Sequence, residues 1–199
     1  MRQTINGADF RRLIISAAAS IEINKQAINE LNVFPVPDGD TGTNMSMTIG
    51  SAVTDLKKAE DPDLGKAASI AASAMLRGAR GNSGVILSLL FRGISKALKG
   101  REACDGELWA LALQTGVDAA YKAVMKPAEG TILTVARLAA AKADAAAREN
   151  SYFEFVLEAA IEEAKVALAN TVHQNPVLEK AGVIDAGGKG WLLVLEAML

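Results

Sequence analysis

The sequence predicts an all-α protein, a bundle or barrel of about eight antiparallel helices. Alanine, the strongest helix former, supplies 37 of the 199 residues, whereas aromatic residues make up only 5% of the chain. Apolar residues recur at spacings of three and four, and short polar or Gly-rich segments separate these periodic stretches. Because 50% of the residues are hydrophobic, the chain can bury one core, and we expect a single domain over residues 1–199.

The individual helices follow from this periodicity and from their end signals. The first, over residues 8–30, carries its apolar side chains on one face and ends before Pro35. Thr43 or Asn44 can cap the second, which ends near Pro62. The last predicted helix is still strongly apolar where the chain stops, so we expect the natural protein to continue. The other six helices are predicted over residues 64–76, 83–98, 107–125, 131–149, 150–172 and 191–199.

Scarce residue types exclude several classes of function. A single histidine, His173, and a single cysteine, Cys104, exclude a zinc site built from several such ligands and any disulfide within the chain. A net charge of −2 without a basic run argues against a nucleic-acid partner. The densest apolar run, residues 85–91, is far shorter than a bilayer span, so we expect no membrane span and a cytoplasmic location.

The segment 32–45 contains the strongest candidate for metal binding. Asp38 and Asp40 flank a glycine, and carboxylates two residues apart in an extended or tightly turned backbone can reach one cation, Mg²⁺ or Ca²⁺. An EF-hand does not fit, because Gly42 and Ile49 stand at ligand positions of that loop. The alternative is an Asx-turn that only leads into a helix.

Three further loops contain unusual turn chemistry. The Gly-rich run 77–84 leads into a helix predicted to begin at Ser83. Ser83 and the free backbone N–H groups there could bind an anion; alternatively, the run is only a packing loop. The run 126–131 breaks one helix and caps the next. The run 181–190 invites comparison with a P-loop but fails it, because a glycine follows Lys189 and no strand precedes the run.

These loops together resemble a known family. Residues 32–45 read Asn-Val-Phe-Pro-Val-Pro-Asp-Gly-Asp-Thr-Gly-Thr-Asn-Met, and residues 78–88 read Gly-Ala-Arg-Gly-Asn-Ser-Gly-Val-Ile-Leu-Ser. With 126–135 and 183–190 in the same order, they resemble the DhaL-type nucleotide-binding domain of dihydroxyacetone kinases and of the bacterial fatty acid kinase A subunit. The motifs at residues 32–45 and 78–88 are most similar to the fatty acid kinase branch. The resemblance implies a barrel of eight antiparallel helices that binds ATP or ADP with Mg²⁺ in loops at one end.

The resemblance also implies site residues. Asp38 and Asp40 would ligate metal. A third metal aspartate precedes the pair by five residues in dihydroxyacetone kinases; Val33 stands there in this chain, and Asn32 is the polar candidate ligand beside it. No catalytic residue is assigned. The implied nucleotide contacts are Thr43, Asn44, Asn82, Ser83, Gly84, Gly130, Thr131, Asp185, Ala186 and Gly187.

The implied activity is transfer of the γ-phosphoryl group of ATP. In the fatty acid kinase branch a DegV-type fatty-acid-binding protein presents the acceptor, and the product is an acyl phosphate. The alternatives are the nucleotide subunit of a dihydroxyacetone kinase, which acts with a dihydroxyacetone-binding subunit, and a nucleotide-sensing module without turnover. Dihydroxyacetone kinases hold their substrate through a histidine on a separate domain, for which this chain has no counterpart. The sequence is also compatible with a homo-oligomer.

Overall fold

The computed structural model describes all 199 residues and is about 75% helical. Nine helices and one pair of two-residue strands, β1 (Ile5–Asn6) and β2 (Ala103–Cys104), account for the regular structure. The prediction of an all-α protein is therefore confirmed. The helices are α1 (Gly7–Glu30), α2 (Thr41–Lys58), α3 (Leu64–Gly78), α4 (Gly81–Leu98), α5 (Gly106–Ala123), α6 (Ile132–Ala147), α7 (Phe153–Gln174), α8 (Pro176–Ala181) and α9 (Ala186–Met198).

The eight long helices form a closed ring. Each helix from α1 to α7 packs against the next along the chain, and α9 packs against α6 and α7 on one side and α1 on the other. The connections between successive helices are short, so neighbours run antiparallel. Alternate helices consequently begin at the same end of the ring. None of the nine helices is both long and apolar enough to cross a membrane.

The interior of the ring is one hydrophobic core of 55 buried residues. Alanines fill much of α3 and α6, whereas a few large side chains fill the wider space. Phe91 and Trp191 meet edge to face, with ring centroids 6.0 Å apart and planes at 73°. Small residues also let backbones approach: a Cβ on Gly93 of α4 would overlap the backbone of Gly116 in α5. The alanine bias of the sequence therefore reflects close helix packing.

The ends of two helices and one whole helix differ from the sequence-based expectation. The expected caps Thr43 and Asn44 are wrong, because α2 begins at Thr41 and Asp40 is its N-cap residue. Helix α9 begins at Ala186, five residues before the expected start, because Asp185 caps it by accepting from the backbone N–H of Gly188 at 2.8 Å.

Helix α8 lies in the segment that was expected to be a loop. Asn175 caps its start by accepting from the backbone N–H of Val177, and Pro176 occupies the first helical position, where its missing N–H costs nothing. Gly182 ends the helix in the left-handed region at φ 68°. The helix is only six residues long, too short for a periodic apolar pattern to reveal it.

Candidate functional site

The N-terminal ends of four helices converge on one cleft of about 580 Å³. Helices α2, α4, α6 and α9 all begin there, because alternate helices of the ring start at this end. Helix N-termini carry unpaired backbone N–H groups and partial positive charge. The residues predicted from the sequence that line the cleft are Asn32, Asp38, Asp40, Asn44, Asn82, Ser83, Thr131, Asp185 and Gly187.

The two predicted metal ligands lie side by side on the cleft wall. The neighbouring Asp40 carboxyl group raises the pKa of Asp38, because it favours the protonated, hydrogen-bonding form and repels the charged one. A divalent cation held between the two carboxylates would replace that repulsion with attraction. No group of three or more His, Cys, Asp or Glu side chains is placed to hold a metal ion. The carboxylate set is thus a pair.

Asn32 organises the loop that carries this pair. The side chain is buried; its Oδ1 accepts from the backbone N–H of Asp40 at 3.0 Å and of Thr41 at 3.3 Å. Its Nδ2 donates to the carbonyl oxygen of Val36 at 2.9 Å. Because the amide oxygen already accepts two hydrogen bonds, it has no lone pair left for a metal in this conformation. The structure therefore shows that Asn32 supports the loop, and its role as a metal ligand stays a prediction.

The start of α4 leaves three backbone N–H groups unpaired. The N-cap residue Arg80 makes no side-chain cap, and the N–H groups of Gly81, Asn82 and Ser83 have no acceptor within the protein. Gly81 has φ 62°, and a Cβ there would overlap the side chain of Asn44. These donors open into the cleft that holds the carboxylate pair, as an anion-binding helix N-terminus requires.

Four predicted site residues lie just behind the cleft wall. Thr43 is held from α1: its Oγ1 accepts from Asn29 Nδ2, and its N–H donates to Asn29 Oδ1, both at 3.0 Å. Gly84 packs against Thr48, where a Cβ would overlap the hydroxyl. Ala186 is buried in the first turn of α9.

The fourth is Gly130, which has φ 73° and donates its N–H to Thr134 Oγ1 at 2.9 Å. Thr134 in turn donates to Glu129, and Arg137 donates to both Glu129 and Tyr121. This network ties the loop before α6 to α5 and α6. It therefore positions Thr131, the neighbouring residue on the cleft wall.

Asp185 is the most deeply buried carboxyl group at the cleft, with 5% of its surface exposed. Its backbone N–H donates to Thr171 Oγ1 at 3.0 Å, and its side chain caps α9. Burial raises its pKa to about 6, against the opposing effect of the backbone N–H groups of Gly188 and Ile132. Asp185 thus fixes the start of α9 at the cleft.

The sequence did not indicate two further features of the wall. Lys126 lines the cleft and forms no ion pair, so its ammonium group is available to an anion. Apolar side chains form another part of the wall. Their sequence signal is weak, since apolar loop residues are common. They are Phe34, Pro35, Val36, Val85, Ile86, Val124, Ile132 and Leu133.

Comparison with known proteins identifies the family. The DAK2 domain pattern matches residues 35–199, and the chain belongs to this family of DhaL-type domains. The chain is 47% identical over 197 residues to Protein YloV of Bacillus subtilis and 46% identical over 199 residues to protein SH1689 of Staphylococcus haemolyticus. These alignments cover 99% and 100% of this chain but 36% of each relative, so the chain spans about a third of their length.

Solved structures show the same fold at low sequence identity. The dihydroxyacetone kinase from C. freundii, in complex with AMP-PNP and Mg²⁺, superposes with a TM-score of 0.72 and 20% identity. The alignment covers 99% of this chain and 34% of that one. Its native form gives the same TM-score with 21% identity, over 96% of this chain and 34% of the other. The helical ring is therefore the fold of these domains.

Proposed function

We propose that this chain is the nucleotide-binding domain of an ATP- and Mg²⁺-dependent kinase whose acceptor is a fatty acid presented by a DegV-type carrier. The proposed nucleotide site rests on one observation. The unpaired N–H groups at Gly81, Asn82 and Ser83 share a cleft with the carboxylate pair Asp38 and Asp40. An anion site beside a cation site is what a metal-bound polyphosphate requires.

The carboxylate pair suits Mg²⁺. This ion takes hard oxygen ligands, keeps several waters and is commonly held by one or two carboxylates together with substrate phosphates. Bound there, Mg²⁺ would supply charge neutralisation on the phosphate oxygens. The residues of this chain position the phosphates. Asn32 holds the loop that carries Asp38 and Asp40, the backbone N–H groups at the start of α4 bind phosphate oxygens, and Lys126 adds a positive charge.

Two features support the fatty acid acceptor over dihydroxyacetone. The segment 32–45 resembles the fatty acid kinase branch. Its buried Asn32 accepts hydrogen bonds from the loop backbone, next to the position at which the dihydroxyacetone kinase pattern has a metal-binding aspartate. The single histidine, His173, does not line the cleft, so the covalent histidine link of dihydroxyacetone kinases has no counterpart in it. The acceptor therefore comes from another protein or from another part of the polypeptide.

Calorimetry with AMP-PNP and MgCl₂ tests the nucleotide site. Asp38→Asn and Asp40→Asn should each lower the Mg²⁺-dependent affinity at least tenfold, because each removes a charged oxygen ligand. Glu60→Gln, an exposed carboxyl group in the connection between α2 and α3, is the matched control and should bind as the wild type does. Equal affinity in all four proteins would refute the assigned metal pair.

A turnover experiment tests the acceptor. The protein as its gene encodes it is mixed with ATP, Mg²⁺ and a DegV-type carrier loaded with fatty acid, and hydroxylamine traps the acyl phosphate. We expect trapped product that depends on the carrier. Turnover only with dihydroxyacetone and a dihydroxyacetone-binding subunit would identify the other kinase branch. Nucleotide binding without turnover on either acceptor would identify a sensing module.

A further inference from the structure

A second groove lies on the outer wall of the ring, away from the N-terminal cleft. It has a volume of about 790 Å³ and runs along α4 and α5, with the start of α3 at one end. Small residues such as Gly93 and Ala119 line its floor, so the two helix backbones lie close to its surface. None of its lining residues lines the cleft.

The groove is lined by four cations that have no partner in the protein. Arg92 and Lys96 on α4, Lys99 at its C-cap and Lys122 on α5 are all exposed, and none takes part in any of the ion pairs of the structure. The only acid in the groove, Asp118, accepts a hydrogen bond from Gln114 Nε2 at 2.9 Å. The protein as a whole carries a charge of −2, so this positive patch is a local departure from the average.

The shape and composition of the groove narrow the class of ligand. Only three of its thirteen lining residues are hydrophobic and none is aromatic, so it offers no surface for an acyl chain or for base stacking. A concave groove between two helices does not match the flat surface of a bilayer. Arg92 and Lys96 lie about one turn apart on α4, about 6 Å along the helix axis, and Lys99 follows at the C-cap. This spacing suits several negative charges distributed along a chain.

We propose that the groove docks an acidic segment of a partner protein. Carboxylates along such a segment pair with Arg92, Lys96, Lys99 and Lys122, while the small residues of the floor admit its backbone. The docked segment runs along the wall of the ring and reaches the end opposite the cleft, where α4 ends and α3 begins. The proposal does not depend on which acceptor the kinase uses.

Fluorescence anisotropy with a labelled peptide of about eight glutamates tests the proposal. Binding should weaken at least tenfold in Arg92→Gln/Lys96→Gln/Lys122→Gln, and should fall as the salt concentration rises. Lys57→Gln/Lys58→Gln/Lys142→Gln removes the same charge from exposed positions elsewhere and should stay within twofold of the wild type. A glutamine peptide of equal length should not bind to any of the three proteins.

Three results would overturn the proposal. They are equal loss of peptide binding in both triple variants, no binding of the glutamate peptide to the wild type, and capture by the groove of tripolyphosphate or anionic vesicles instead of the peptide. Thermal melts of both variants verify that they fold. AMP-PNP and Mg²⁺ should bind to both as to the wild type, so failure of the groove and failure of the nucleotide site give different results.

Discussion

Two asparagines at the end of α1 determine the geometry of the loop that carries Asp38 and Asp40. Asn29 and Asn32 lie three residues apart, and their amide oxygens accept hydrogen bonds from the backbone N–H groups of Asp40, Thr41 and Thr43 at the start of α2. Neutral amides can accept these hydrogen bonds without adding negative charge beside the carboxylate pair. Two of the three N–H groups in the first turn of α2, those of Thr41 and Thr43, are therefore paired within the protein, whereas none of the three in the first turn of α4 is.

Asp185 should give the stability a specific pH dependence. Its folded-state pKa is about 6, against an ordinary value of 3.8. Between these values the folded protein holds a proton that the unfolded chain releases. The contribution of protonated Asp185 to stability is therefore full well below pH 3.8 and is lost as pH rises through 6. Relative to Asp185→Asn, the wild type should lose on the order of 3 kcal/mol over this interval.

Urea denaturation at several pH values between 3.5 and 7 measures this difference. The asparagine side chain of the Asp185→Asn variant keeps an oxygen that can cap α9, so the variant tests ionisation more than capping. Asp63→Asn changes the exposed N-cap of α3 and serves as the control. A constant difference between wild type and Asp185→Asn across the series would contradict the assignment.

The sequence predicted individual site residues where their chemistry is local. The spacing of Asp38 and Asp40 and the Gly-rich run before Asn82 can be read directly. The contribution of Asn32 could not, because its partners lie up to nine residues away in a loop whose path no periodicity describes. The run 126–131 is visible in the sequence, but the position of its Lys126 on the cleft wall is not, since only the folded chain brings the end of α5 to the cleft.

At the scale of the elements, α4 and α5 can pack closely because Gly93 and Gly116 have no side chains at their contact. A Cβ on Gly93 would overlap Gly116, so Gly93→Ala should destabilise the protein by about 1–3 kcal/mol. Gly50 in α2 has no heavy atom near its Cβ direction, and Gly50→Ala should stabilise by about 0.5–1 kcal/mol. Chemical denaturation measures both; destabilisation of equal size at the two positions would contradict this packing.

Helices with a long amphipathic pattern were predicted to within a few residues, and α9 was not. Its first five residues include Gly187, Gly188 and Gly190, which disfavour an isolated helix. The reason for them is tertiary: a Cβ on Gly190 would overlap the sulfur of Met45, and one on Gly188 would lie 3.1 Å from Leu168 and Val135. Packing partners elsewhere in the chain overrode the local propensity.

At the scale of the whole molecule, one cleft is built from four distant parts of the sequence. Helices α2, α4, α6 and α9 contribute their N-terminal ends, and their first residues span positions 41 to 186. Composition and periodicity predicted the helices, but closure of the ring and this convergence came only from the family resemblance, because non-local packing leaves no periodic signal. Ligand binding should accordingly stabilise the ring as a whole.

Thermal unfolding and hydrogen exchange with AMP-PNP and Mg²⁺ measure that stabilisation. At a ligand concentration one hundred times Kd the gain is about 2.7 kcal/mol, which corresponds to a rise in Tm of about 5–10 °C. Amide protection should increase at the first turns of all four helices, and the connection between α2 and α3 at the opposite end is the internal control. Protection confined to one helix would contradict a shared site.

The direction of α1 and α9 has a practical consequence. Helix α1 runs roughly 36 Å toward the cleft from Gly7, and α9 runs roughly 20 Å away from it to Met198. The first and last residues of the chain therefore both lie on the side of the ring opposite the cleft. A biosensor chip or a fluorescent fusion attached at either terminus leaves the cleft facing the solution, so immobilised protein can be used for the nucleotide measurements.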